Sequence, residues 1–185
     1  MKIEKKCVEN IDLGYLDGQE ALFPYVKNKG EHYRLLTYMG NLLNGSLIID
    51  IGTAQGHSSL ALSQNENNTI VTYDIVINPQ LCNETRNKSN IQRKILDINS
   101  ESAEVLERAD LILLDIDPHD GLAERVFYDT LNSTNFKGVL LCDDIFVNAG
   151  MKKFWDGIER SKYDITEYGH WSGTGLVNFS DKEIE

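Results

Sequence analysis

The chain has 185 residues and a formal net charge of −11, long enough for one well-buried core and too short for two ordinary domains. That acidic balance argues against nucleic acid as a partner, because binding a phosphate backbone rests on a basic face, and the longest basic cluster is only Lys152-Lys153. No apolar run approaches the ~20 residues of a membrane helix, and MKIEKKCVEN lacks the apolar stretch of a signal peptide, so a cytoplasmic protein that does not engage a membrane is expected, with Cys7, Cys82 and Cys142 as free thiols.

Residues 1–29 show little periodicity and are expected to form a cap or lid on one domain spanning 1–185. The segment 31–43 (EHYRLLTYMGNLL) places Leu35, Leu36, Met39, Leu42 and Leu43 on one helical face, with Asn44-Gly45 closing the helix. Its opening Glu31-His32-Tyr33-Arg34 reads either as a face toward cofactor or substrate or, the favoured reading, as an ordinary charged first turn. The short β-branched run 47–51 is apolar enough to be a strand buried on both faces. A helix over 56–63, a strand over 69–74, a helix opened by Pro79 and a strand over 91–96 follow. Next come a helix over 100–108, the most hydrophobic strand at 110–115 (DLILLD), a helix over 123–131 and a strand over 138–142. The helix over 149–161 carries Phe154 and Trp155, candidates for an apolar interface in a homo-oligomer. Strands over 163–168 and 175–179 are joined by a turn too short for a crossover and must be antiparallel. The pattern predicts an α/β fold: a doubly wound, Rossmann-like, mainly parallel seven-stranded sheet with an antiparallel C-terminal hairpin and helices on both faces.

In such a sheet ligands bind beyond the carboxyl ends of the strands. The loop after the first strand reads Asp50-Ile51-Gly52-Thr53-Ala54-Gln55-Gly56-His57-Ser58. Gly52 allows a sharp turn and close approach of the backbone to a ligand, and Gly56 opens the next helix where a side chain would crowd the sheet. The N–H groups of that helix start, with Ser58, can receive an anion. Ala54 stands where a dinucleotide fingerprint needs glycine. The G-x-x-x-G spacing after an acidic strand end instead resembles the S-adenosylmethionine loop of class I methyltransferases. The resemblance implies that Asp50, Gly52, Thr53, Gly56, Ser58, Asp74, Asp97 and Asp115 bind that cofactor, Asp74 at the ribose hydroxyls and Asp97 near the adenine amino group. Asp50, Asp74 and Asp97 also read as caps of the helices that follow them.

A second constellation is Asp115-Ile116-Asp117-Pro118-His119-Asp120 with Asp143-Asp144. Adjacent parallel strands lie ~4.8 Å apart, so their ends bring these acids together. Clustered carboxylates cannot all ionise cheaply without a counter-charge, and Mg²⁺ or another hard divalent cation supplies one. The order of glycine loop, Asp74, Asp115 and Asp143-Asp144 resembles the catechol O-methyltransferase group and related metal-dependent natural-product and sugar methyltransferases. It implies Asp115, Asp143 and Asp144 as metal ligands, with Asp117 as the alternative to Asp115. The catechol enzymes place a lysine base where Pro118 stands. Relatives with a D-x-x-H pattern use histidine, and His119 lies one position later, so His119 and Asp117 are the catalytic candidates. The activity implied is metal-assisted O-methylation of a small hydroxylated acceptor, with His119 taking the proton.

Two readings compete. Asp115-x-Asp117 after a hydrophobic strand is also a metal–diphosphate signature of nucleotide-sugar glycosyltransferases, and a cofactor fold can serve as a non-catalytic subunit. Asp120-Gly121 is a plausible turn and helix cap, and Trp171 either walls an acceptor pocket or is an exposed turn aromatic.

Overall fold

The apolar runs form one seven-stranded sheet in the computed structural model, which describes residues 2–180. The strands are β1 (Leu47–Ile51), β2 (Thr69–Asp74), β3 (Ile91–Ile95), β4 (Leu111–Leu114), β5 (Val139–Asp143), β6 (Lys162–Asp164) and β7 (Thr174–Asn178). Their order is β3-β2-β1-β4-β5-β7-β6. The first five are parallel, and β7 runs antiparallel to both β5 and β6, as the short final turn requires.

Among the described residues seven α-helices surround it: α1 (Lys5–Glu9), α2 (Tyr33–Leu42), α3 (His57–Leu62), α4 (Asn83–Asn87), α5 (Ala103–Glu107), α6 (Leu122–Asn132) and α7 (Ala149–Asp156). Successive strand side chains point to opposite faces. Ile48, Leu111, Leu113 and Leu141 therefore pack with Leu35, Leu36 and Met39 of α2 and Leu60 of α3. Ile49, Ile51, Ile112, Leu114 and Leu140 pack with Leu106 of α5, Phe127 of α6 and Met151 of α7. Both faces are apolar, which is why these strands read as unbroken hydrophobic runs. At the β1–β4 border the following helices, α3 and α6, lie on opposite faces, and a crevice opens beyond the carboxyl ends of the two strands.

The segment before α2 lays Val8, Leu13, Leu16 and Val26 against the α2 side of the core. Several expectations are corrected. Leu42, in the last turn of α2, is exposed rather than part of its buried face. Pro79 does not open a helix; Asn78 turns the chain there by accepting from the Gln80 N–H, and α4 begins at Asn83. Helix α7 stops at Asp156, before Gly157, rather than continuing to 161. Phe154 and Trp155 are buried in the core, so they present no free apolar face for a second copy. The three cysteines are unpaired, and no helix among the described residues is long and apolar enough to cross a membrane.

Candidate cofactor cleft and acid–histidine cluster

Steric constraint shapes the glycine loop. Gly52 has φ +99°, and a Cβ there would lie 1.7 Å from the Asp115 carbonyl oxygen, so only glycine lets the chains leaving β1 and β4 cross. The N–H groups of Gly52 and Thr53 both donate to the Tyr73 carbonyl, at 2.9 and 3.2 Å. Gly56, at φ +86°, would press a Cβ to 2.8 Å from Leu81 and Thr85.

Beneath the loop lies Asp50, on the same face of β1 as Ile48 and wholly buried. Its Oδ2 accepts from the hydroxyls of Ser58 (3.1 Å), Thr72 (3.0 Å) and Ser59. Burial pushes its carboxyl upward, and the three hydroxyls oppose that shift. Thr53 meanwhile shares a 2.7 Å hydrogen bond with Thr72. The Thr53 and Ser58 hydroxyls are thus engaged with Thr72 and Asp50 Oδ2 beneath the loop rather than turned to a ligand, while Asp50 Oδ1 is buried with no hydrogen-bond partner. These side chains support the loop from below.

The loop edges a cleft of about 340 Å³ that also includes Asp74, Val76, Leu96, Asp97 and Ile116. Asp74 accepts from the Ala54 N–H through Oδ2 and from the Val76 N–H through Oδ1, both at 3.1 Å, and so ties the loop to the end of β2. Asp97 accepts from the Asn99 N–H at 2.9 Å, capping a short 3-10 turn while lining the cleft. Its capping and ligand-facing readings therefore coexist. Ile75 and Val76 form an exposed apolar lip. Across Gly52, Ala54 and Asp115 a smaller cavity of about 140 Å³ is bounded by Phe23, Tyr33, Gly56 and His57.

Beyond β4 and β5 the surroundings change. Asp115 follows β4, Asp143 ends β5 and Asp144 comes next. Burial, with Asp143 and Asp144 nearby, pushes the Asp115 carboxyl well above its usual range. Asp143 Oδ2 lies 3.0 Å from His32 Nδ1, with both side chains almost fully buried. Asp144 Oδ1 meets His170 Nδ1 at 2.9 Å and accepts from the Ser172 hydroxyl. His170 Nε2 lies 3.4 Å from Glu31. Burial lowers both imidazoles, yet Asp143 lifts His32 to about 9, and Asp144 with Glu31 lifts His170 to about 10. Part of the counter-charge expected from a metal is therefore supplied by two histidines absent from the candidate set. Glu31 and His32 precede α2 and are buried, not a solvated first turn.

His119 Nε2 lies 3.5 Å from Asp144 Oδ2 and 3.8 Å from Asp115 Oδ1, and its carbonyl accepts from Asn148. On its other side Nδ1 is 3.9 Å from Glu124, whose buried carboxylate has no hydrogen-bond partner. The Asp117 side chain is 96% exposed. Its Oδ1 nevertheless lies 3.4 Å from His119 Nε2, so it stands at the exposed rim of the cluster, apart from the buried donor groups that could hold a cation, which weighs against the shared-cation geometry a D-x-D diphosphate site needs. Asp120 accepts from the Leu122 N–H in a turn ahead of α6, whose N-cap is Gly121 with no side-chain cap, so the turn reading of Asp120-Gly121 holds and the capping one does not. Among the described residues, the non-glycine positions with positive φ are Ala54 (+41°), His119 (+52°) and Asp144 (+57°). Ala54 and His119 line the cleft and Asp144 belongs to the adjoining acid cluster, and such strain, about 1–3 kcal/mol each, concentrates at functional sites.

The donor set fits a divalent cation. Ligand atoms of His32, Asp115 and Asp143 lie within 4.8 Å of one another, and Asp143 Oδ1 is buried with no hydrogen-bond partner.

No family model matches the sequence, and no curated protein matches it. Solved structures do. The Podospora anserina methyltransferase PaMTH1, bound to S-adenosylhomocysteine (SAH), aligns with TM-score 0.62 at 16% identity, over 80% of this chain and 78% of that one. An O-methyltransferase from Bacillus cereus in complex with SAH aligns with TM-score 0.55 at 14% identity, over 95% and 90%. A methyltransferase from Geobacter sulfurreducens gives TM-score 0.60 at 13% identity, over 80% and 78%. Strand order, glycine loop and these alignments agree: the chain has the class I methyltransferase fold.

Proposed function

We propose that this chain is an S-adenosylmethionine-dependent methyltransferase that methylates a hydroxyl of a small acceptor with the help of a divalent cation. The observation that carries this reading is one juxtaposition. The Gly52–Asp115 crossing joins an apolar-lipped cleft bearing Asp74 and Asp97 to a buried cluster of carboxylates. Asp74 offers its remaining lone pairs to ribose hydroxyls and Asp97 to an adenine amino group, while Val76, Leu96 and Ile116 enclose the purine. Phe23, Tyr33 and His57 surround the amino-acid end.

When bound, the cofactor supplies an electrophilic methyl group and the cation acidifies the hydroxyl it touches. Asp115 and Asp143 would hold that cation. His119, with Nε2 turned toward the carboxylates, takes the acceptor's proton. The acceptor enters through an open cavity of about 530 Å³ lined by Phe23, Tyr25, Glu31, His170 and Trp171. Its aromatic walls suit a flat hydroxylated molecule.

Thermal shift and calorimetry with SAH, a UDP-sugar and NAD, each with and without a divalent metal, test this. SAH is expected to stabilise the chain. Stabilisation by UDP-sugar plus metal, without any by SAH, overturns the reading.

A further inference from the structure

We propose that His32 completes the cation site with Asp115 and Asp143, making a mixed nitrogen–oxygen site that prefers a first-row transition metal to Mg²⁺ and leaves Asp144 outside. The proposal deepens the functional reading above and rests on it for the use to which the metal is put.

His32 Nδ1 is buried 3.0 Å from Asp143 Oδ2, yet it makes no hydrogen bond. A hydrogen bond requires the N–H to lie near the N···O line. A nitrogen and an oxygen at that separation but off the hydrogen-bond line are also placed as neighbouring ligands of one ion, which on binding would displace the proton the pair otherwise holds. Two donors at ~2.1 Å from a cation, at right angles, are ~3.0 Å apart. Asp143 Oδ1 is likewise buried and unpartnered. Asp115 brings a ligand atom within 4.8 Å of both other residues.

Asp144 is occupied in a different way. Its Oδ1 meets His170 and Ser172, and its Oδ2 faces His119. Ligand atoms of Asp143, Asp144 and His170 also lie within 4.8 Å of one another, but there Asp144 is held by His170 and Ser172, whereas Asp143 Oδ2 is nearer His32, at 3.0 Å, than His170, at 3.8 Å.

The ligand set decides the ion. Mg²⁺ favours all-oxygen surroundings and gives up its water reluctantly, whereas an imidazole nitrogen suits the later first-row metals, with affinity rising from manganese to copper. Three protein ligands also leave coordination positions open, as catalytic rather than structural sites do.

The test uses the full chain stripped with chelator and titrated with Mn²⁺, free Mn²⁺ being read by electron paramagnetic resonance and Mg²⁺ added as competitor. Mn²⁺ is expected to bind at least about tenfold more tightly than Mg²⁺. Pulsed measurements on the bound Mn²⁺ should show coupling to an imidazole nitrogen in the unmodified protein, a readout that needs no variant to fold. His32→Gln, checked for folding by circular dichroism, should abolish that coupling and weaken Mn²⁺ about tenfold or more, while His170→Gln keeps the coupling and Asp144→Asn binds within about threefold of the unmodified chain. Absent nitrogen coupling overturns the proposal. So does coupling that survives His32→Gln, or an Asp144→Asn loss equal to that of Asp143→Asn. SAH binding by the metal-stripped chain is scored separately. If SAH binds and Mn²⁺ shows no nitrogen ligand, this inference falls alone; if Mn²⁺ binds through His32 and SAH does not bind, the methyltransferase reading falls alone.

Discussion

Past the carboxyl ends of β1–β3 the cleft is walled by backbone and apolar side chains, and its acids are held by neighbouring N–H groups. Past β4 and β5 it is walled by buried charge, with three carboxylates facing three imidazoles. The first wall owes its form to volume and φ, so its ligand-facing groups can change with little consequence for the fold. The second couples ligand chemistry to stability, because each group removed strands another inside the protein.

Substitutions can break or sharpen that contrast. The largest effect is expected at Asp143→Ala, which leaves His32 buried without its carboxylate; about 3–5 kcal/mol of stability should be lost in urea unfolding. A loss under about 1 kcal/mol would mean the two walls do not differ in kind. Next comes Gly52→Ala, which drives a Cβ into the Asp115 carbonyl. It should cost about 3 kcal/mol and abolish SAH binding by calorimetry, whereas Gly45→Ala, also at positive φ but in open space, should cost only about 1 kcal/mol. Equal losses would show that φ alone, not the crossing, requires Gly52. A smaller effect belongs to Asp74→Ala, with about tenfold weaker SAH binding and a melting temperature nearly unchanged, since its two partners are backbone groups near water. Smallest is Asp117→Asn, expected within about 0.5 kcal/mol of the unmodified chain and with full turnover. Lost turnover would restore Asp117 to the site.

What the sequence disclosed follows the same division. The succession of strands and helices, the antiparallel final pair and the loop of Gly52 and Gly56 were legible because each depends on neighbours in the chain: an apolar run, a turn length, a spacing. The inward direction of Asp50 was legible too, since a period of two puts it on the buried face with Ile48; reading it as the end of a strand hid that signal. Phe154 and Trp155 misled because a helix face that packs on a sheet reads like one awaiting a partner. His32 and His170 were not legible as site residues. Their partners lie on other elements, and no local pattern marks a histidine whose neighbours are supplied by the fold.

One backbone hydrogen bond, from the Trp171 N–H to the Gly30 carbonyl at 2.8 Å, joins the segments that carry those two histidines. Trp171 itself is largely exposed, so little except this bond shelters its amide from solvent. Its hydrogen-exchange rate is therefore a clock for the docking of two distant stretches of chain: slow while both hold the acid cluster, fast whenever either one lifts away.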